Sequence, residues 1–225
     1  MIERLPQWVN VLFILTTIVT IVFFYFSNGK PLKLTVIIIL WSIVHAVLAY
    51  SGYYLVTDTA IPRFGLVLIP ITMLIIYSLL PRQRDMVLQA RNLKISTFLH
   101  VVRLPVEIVL FQLFVYQMIP KLMTFEGINY DILMGITAPI IGYLFVRHKL
   151  SEKGLILWNM LGLCLISGIL LLGILSSELP IQQLAFDQPN RAVTYFPYIL
   201  LPATIVPIVW WTHLTDILKL RQEIL

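Results

Sequence analysis

Seven apolar runs dominate this sequence, each close to the length a helix needs to cross a bilayer. A hydrocarbon core of about 30 Å takes roughly 20 helical residues, and the runs fall at 8–26, 34–55, 64–80, 97–119, 130–146, 154–175 and 193–214. Lipid offers no hydrogen-bond partners, so backbone at that depth must satisfy itself, and runs of this length are predicted to be helical. The expectation is an all-α fold: a polytopic transmembrane bundle of seven helices, forming a single integral membrane domain over residues 1–225. The third and fifth runs are short and carry Pro70 and Pro139, so their ends are the least defined. Charge content agrees with this class. Only 12% of residues are charged and the mean hydropathy is +0.91, against roughly one quarter charged in soluble domains.

Orientation follows from the basic residues that flank the runs. Lys30, Lys33, Arg82, Arg84, Arg91, Lys94, Arg147, Lys149, Lys153, Lys219 and Arg221 fall on one side, and Arg4, Arg63, Lys121 and Arg191 on the other. That bias places the N-terminus outside and the C-terminus in the cytoplasm of a cell-membrane protein. A net charge of +5 would suggest nucleic acid in a soluble chain. Here the basic residues serve the bilayer, the expected partner, and no nucleic acid is implied. The outer side is mildly acidic, with Asp58, Glu126, Asp131, Glu178 and Asp187. Residues 86–95 mix apolar and basic side chains without proline or glycine, which fits a short helix on the cytoplasmic interface or an extension of the fourth helix. In the last outer loop, Asp187 or Asn190 is the expected N-cap of the seventh helix.

The fourth run carries His100-Val101-Val102-Arg103-Leu104-Pro105-Val106-Glu107. At helical periodicity, His100, Arg103 and Glu107 fall within a sector roughly 60° wide. Ionisable groups at membrane depth are costly and mark candidate sites, so the other helices are expected to gather around this face. Arg103 and Glu107, four apart, are placed to pair, and Pro105 should bend the helix. His213 falls at the depth of His100, Asn159 is a candidate partner for the Arg103 face, and His45 lies near the depth of Glu107. The tyrosines at 50, 53 and 54 read as an outer aromatic belt. Pro197, Pro202 and Pro207 interrupt the seventh run, predicting an irregular helix.

These residues point to a multi-pass membrane protein that works in transport, sensing or the binding of a small molecule or lipid. Its expected site is a polar pocket in the cytoplasmic half, built from Arg103, Glu107, His100, His213 and Asn159. Two other readings stand beside it. His45, His100, His213 and Glu107 are chemically sufficient for zinc, which would make a membrane-embedded metal-dependent hydrolase. In topology and ligand inventory this resembles the alkaline ceramidase type. The chain departs from that pattern, because it has Ile217 four residues beyond His213 rather than a paired histidine. The third reading is a structural or assembly subunit whose buried ion pair fixes packing. No membrane run holds an interior lysine, which excludes a retinal Schiff base of the microbial kind. No phosphate loop or nucleophile motif appears either.

Overall fold

The computed structural model describes residue 2 and residues 4–56 and 63–224; Asp58 lies outside them. Regular structure among the described residues is helical, apart from one isolated bridge between Ser177 and Asn190. Nine α-helices are described: α1 (Gln7–Ser27), α2 (Leu32–Tyr50), α3 (Gly65–Ser78), α4 (Pro81–Ala90), α5 (Leu93–Leu99), α6 (Arg103–Val115), α7 (Ile132–Val146), α8 (Glu152–Leu175) and α9 (Val206–Ile224).

Four segments are long and apolar enough to cross a membrane: α1, α2, the α5–α6 unit over Leu93–Val115, and α8. The pair α3 and α4, bent by 83°, makes a fifth if counted as one span. Several boundaries differ from the sequence expectation for local reasons. The fourth span starts at Leu93 because the Asn92 side chain accepts from the amides of Lys94 and Ile95, an N-cap. It stops at Val115, ahead of Gln117, whose φ is 59°. The second ends at Tyr50, where Gly52 takes a left-handed φ of 78° that suits a residue without Cβ. Residues 86–95 are neither a single interfacial helix nor a simple extension of the fourth. Arg91 is extended and breaks the chain between α4 and α5.

The centre of the fold is the last helix rather than the fourth. From Pro197 to Thr215 nearly every residue is buried, only Trp210 and Leu214 being partly open. The helix begins with a π turn at Leu201–Ile205, before α9 proper. Proline explains the irregularity: Pro207 has no N–H to give the carbonyl of Ala203. That carbonyl instead accepts the indole N–H of Trp41 at 3.2 Å. Other helices contact this axis along its length. Tyr198 packs on Phe13 and donates to Asn10 of α1, while Phe24, nearer the other end of α1, packs on Trp211. Ser42 of α2 bonds Thr204, and Ser78 of α3 accepts from Trp211. By contrast, α1, α2 and α3 expose large apolar side chains such as Val11, Leu15, Leu40, Val47 and Met73, as lipid-facing helices do.

Candidate functional site: a buried polar cluster

Arg103 stands at the start of α6, after a tight 3₁₀ turn at His100–Val102. Pro105 is tolerated here because it lies in the first turn of α6. Counted from Leu93 at 1.5 Å per residue, Arg103 is about 15 Å along the span, well inside it.

The partner of Arg103 is Asp131, which corrects the expected pairing with Glu107. The guanidinium grips the carboxylate with two donors: Nε to Oδ2 at 2.6 Å, and Nη2 to Oδ1. Both side chains are buried. The sequence places Asp131 on the outer side, and the structure corrects this. Asp131 reaches mid-span because α7 has only 15 residues, about 22 Å, and its first turn docks beside the start of α6. Gly135 makes that approach possible, since a Cβ there would lie 2.8 Å from the backbone nitrogen of Leu104. The loop between α6 and α7 therefore descends into the protein and carries Asn129 and Asp131 onto the polar face.

Arg103 Nη1 also meets Nε2 of His213 at 3.0 Å. Arginine can only donate, so Nε2 is the acceptor and the imidazole proton sits on Nδ1. That proton goes to Asn159 Oδ1 at 2.8 Å, and Asn159 Nδ2 donates to the carbonyl of Leu155 at 2.9 Å. His100 lies flat on His213, with ring centroids 3.7 Å apart and planes 13° apart. Trp158 meets both rings edge-on at 5.4 and 5.7 Å. Glu107 accepts from Asn129 Nδ2 at 2.7 Å, and Asn129 Oδ1 in turn accepts from the Asp131 amide. All five residues singled out from the sequence thus join one network, completed by Asn129 and Asp131, which sequence reasoning missed. The usable signal was the shortness of the fifth run combined with two polar residues just before it.

The network is closed to solvent, with His100 and His213 at 0% exposure and Arg103 at 2%. It is also incompletely bonded. Neither nitrogen of His100 has a partner, and Glu107 Oε2 has none. His45 is not part of it. That histidine bonds Tyr54 through Nδ1 and packs on Trp41, and Tyr54 is buried rather than in an outer belt. Among the described residues no three His, Cys, Asp or Glu side chains come together as a metal-holding group. The residues do not fit zinc: both nitrogens of His213 are engaged, and the Arg103 cation faces the ring where a metal would approach.

A second buried pair lies one turn further along α9, three residues beyond His213. Arg91 Nε donates to Asp216 Oδ1 at 2.6 Å, Nη1 to Asn28 Oδ1 at 2.8 Å and Nη2 to the carbonyl of Thr212 at 3.2 Å. Its burial corrects the placing of Arg91 among the basic residues of the cytoplasmic flank. In the outer loop, Asn190 bonds Gly173 and Ser177 of the α8 end instead of capping a helix.

The matched segment, residues 60–221, contains Arg91, Arg103, Asp131, His213 and Asp216 but neither Asn28 nor His45. The chain belongs to the family described as Domain of unknown function (DUF8737). No curated protein and no solved structure is similar enough to match it.

The packing around His213 gives a direct check on the site. A Cβ on Gly162 would fall 2.3 Å from His213 Cε1 and 2.6 Å from Met134 Cε, whereas one on Gly168 meets nothing within 4 Å. Gly162→Ala is expected to destabilise by roughly 1–3 kcal/mol through overpacking and to shift His213 off Arg103. Gly168→Ala, on the same helix, should be neutral or gain about 0.5–1 kcal/mol from helix propensity. Thermal unfolding of both variants in detergent micelles checks the contrast.

Proposed function

We propose that this chain is a multi-pass cell-membrane protein that crosses seven times as a single domain, with its N-terminus outside and its C-terminus in the cytoplasm. Its buried polar cluster serves transport, sensing or the binding of a small molecule or lipid group. The basic bias of the flanks supports the orientation. Cross-contacts support alternating directions: Ser27 at the end of α1 meets Asn92 just before α5, and Ser78 at the end of α3 meets Trp211 in α9.

The observation that carries the reading is the pair of unsatisfied groups beside an arginine whose three nitrogens all have partners. His100 has two unpartnered nitrogens and Glu107 one unpartnered oxygen, all buried. A buried polar group without a partner costs on the order of 1–3 kcal/mol, and such exceptions mark sites that water, protons or ligand complete in another state. Arg103 supplies fixed positive charge, suited to an anionic group or to stabilising the carboxylate that Glu107 becomes when it gives up a proton. Packing alone is the competing reading, and the bidentate bonding of Arg103 to Asp131 favours it.

Trp158 reports on the difference, because its indole touches both histidine rings. If protons reach the cluster, lowering the pH from about 8 to about 5, across the range where histidine titrates, will quench Trp158 emission. The change should vanish in Trp158→Phe and weaken in His100→Gln. A flat wild-type response in folded protein, with the Trp158→Phe difference constant across pH, would leave the cluster as sealed packing and favour the assembly-subunit reading.

A further inference from the structure

Away from the polar cluster, a cavity of about 540 Å³ opens between α2, α3, α4 and α9, within the roughly 300–1,000 Å³ typical of small-molecule sites. Its walls include Leu34, Ile38, Ile71, Leu74, Pro207 and Ile208, and no charged residue lines it. The polar side chains at its edge are already committed. Trp211 Nε1 donates to Ser78 Oγ, Trp41 Nε1 to the Ala203 carbonyl, Gln83 Nε2 to the Tyr77 hydroxyl, and Ser42 bonds Thr204. The groove therefore offers an occupant apolar surface and almost no polar recognition.

Its length and its rim say what fits. Along α2 the lining runs from Pro31 to Trp41, ten residues or about 15 Å, which is half of a hydrocarbon core of about 30 Å. The depth is that of one leaflet. At the shallow end stand exposed Lys30 and Lys33, flanking Pro31 and Leu34, and exposed Arg82, beside Gln83. There α4 turns 83° from α3 and runs from Arg82 in its first turn to Ala90, which lies against Gly29 beside Lys30. An apolar slot one leaflet deep with three cations at its mouth matches the chemistry of an anionic phospholipid. Lysine and arginine at a membrane surface each attract such lipids by about 1 kcal/mol.

We propose that this groove holds an acyl chain of an anionic phospholipid whose phosphate rests on Lys30, Lys33 and Arg82. The site is separate from the Arg103 cluster and does not depend on the role given to it.

Trp41 and Trp211 line the groove and serve as probes in full-length protein carrying Trp8→Phe, Trp158→Phe and Trp210→Phe. The protein is reconstituted in phosphatidylcholine vesicles with increasing phosphatidylglycerol brominated on its acyl chains. Half-maximal quenching is expected at a mole fraction about fivefold below that needed with brominated phosphatidylcholine, roughly the gain of a single basic contact. Lys30→Gln, Lys33→Gln and Arg82→Gln together, all exposed positions, should abolish the preference without changing the melting temperature. Ile71→Phe should reduce quenching by filling the slot. Equal quenching by both lipids would reduce the groove to ordinary annular contact and overturn the proposal. Absence of quenching by either, which would mean a groove closed or covered by a second copy, would overturn it too, as would a preference that survives the triple variant.

Discussion

Arg103→Met is expected to destabilise the protein by about 3–5 kcal/mol, the cost of leaving a buried partner charge unpaired. The reason lies in what the substitution strands. Asp131 would lose both of its guanidinium bonds, and His213 Nε2 would lose its donor, while all three positions stay buried. Asp131→Asn should be similarly damaging, because it removes the negative charge and leaves the guanidinium facing a neutral amide. Combining Arg103→Met with Asp131→Asn should recover a large part of the loss, since no uncompensated charge then remains. Equilibrium unfolding of the two single variants and the double in mixed micelles gives the coupling energy directly. Additive losses would show that the two side chains do not act as a pair. Arg103→Lys separates charge from geometry: an ammonium cannot span both carboxylate oxygens and reach His213 through one planar fork, so most of the loss should persist.

The identity of Arg103's partner also marks where sequence reasoning stopped. Periodicity on one helix places His100, Arg103 and Glu107 on a common face, and they do share one network. A choice of partner from spacing alone favours the residue four positions on. The actual partner is 28 residues away, brought in by a helix too short to start at the far surface and by a glycine that lets two backbones approach. Neither effect has a one-dimensional pattern. The same limit applies to Arg91. Its neighbours in sequence make it look like part of a basic surface segment, yet an extended backbone at that residue turns the side chain under Trp211 and into Asp216.

The role of α9 was hidden for a different reason. Hydropathy measures what a helix would meet in lipid, and a helix surrounded by protein meets none. Thr204, Thr212, His213, Thr215 and Asp216 are all buried along it, so its polarity depresses the apolar signal while raising its number of bonding partners. The outer helices α1 and α2 show the reverse: they keep apolar side chains on the faces they expose and read clearly. Triple proline in the last run did signal an irregular helix, and the freed Ala203 carbonyl with its Trp41 partner is the physical form that irregularity takes.

Asp216→Ala should rank with Arg103→Met as one of the two most damaging single changes, at about 3–5 kcal/mol, and for reasons that a neighbouring ion pair makes plain. Arg91 and Asp216 have side-chain exposures of 0% and 1%, and Arg91 also holds Asn28 at the end of α1 and the Thr212 carbonyl of α9. Without Asp216 the cation keeps two neutral acceptors and a ring face, and has lost its only carboxylate partner among the described residues. One turn further along the same helix, Lys219 and Glu223 form an i,i+4 pair at 3.3 Å with exposures of 21% and 40%. Glu223→Gln there should cost no more than about 0.5 kcal/mol, as solvated helix pairs do. The two variants therefore differ by several kcal/mol although both remove one carboxylate from an arginine or lysine on or against α9. Unfolding midpoints measured side by side, with added salt moving only the Lys219–Glu223 contribution, distinguish the two cases. A small effect of Asp216→Ala would mean that water reaches Arg91 and that this end of the bundle is open.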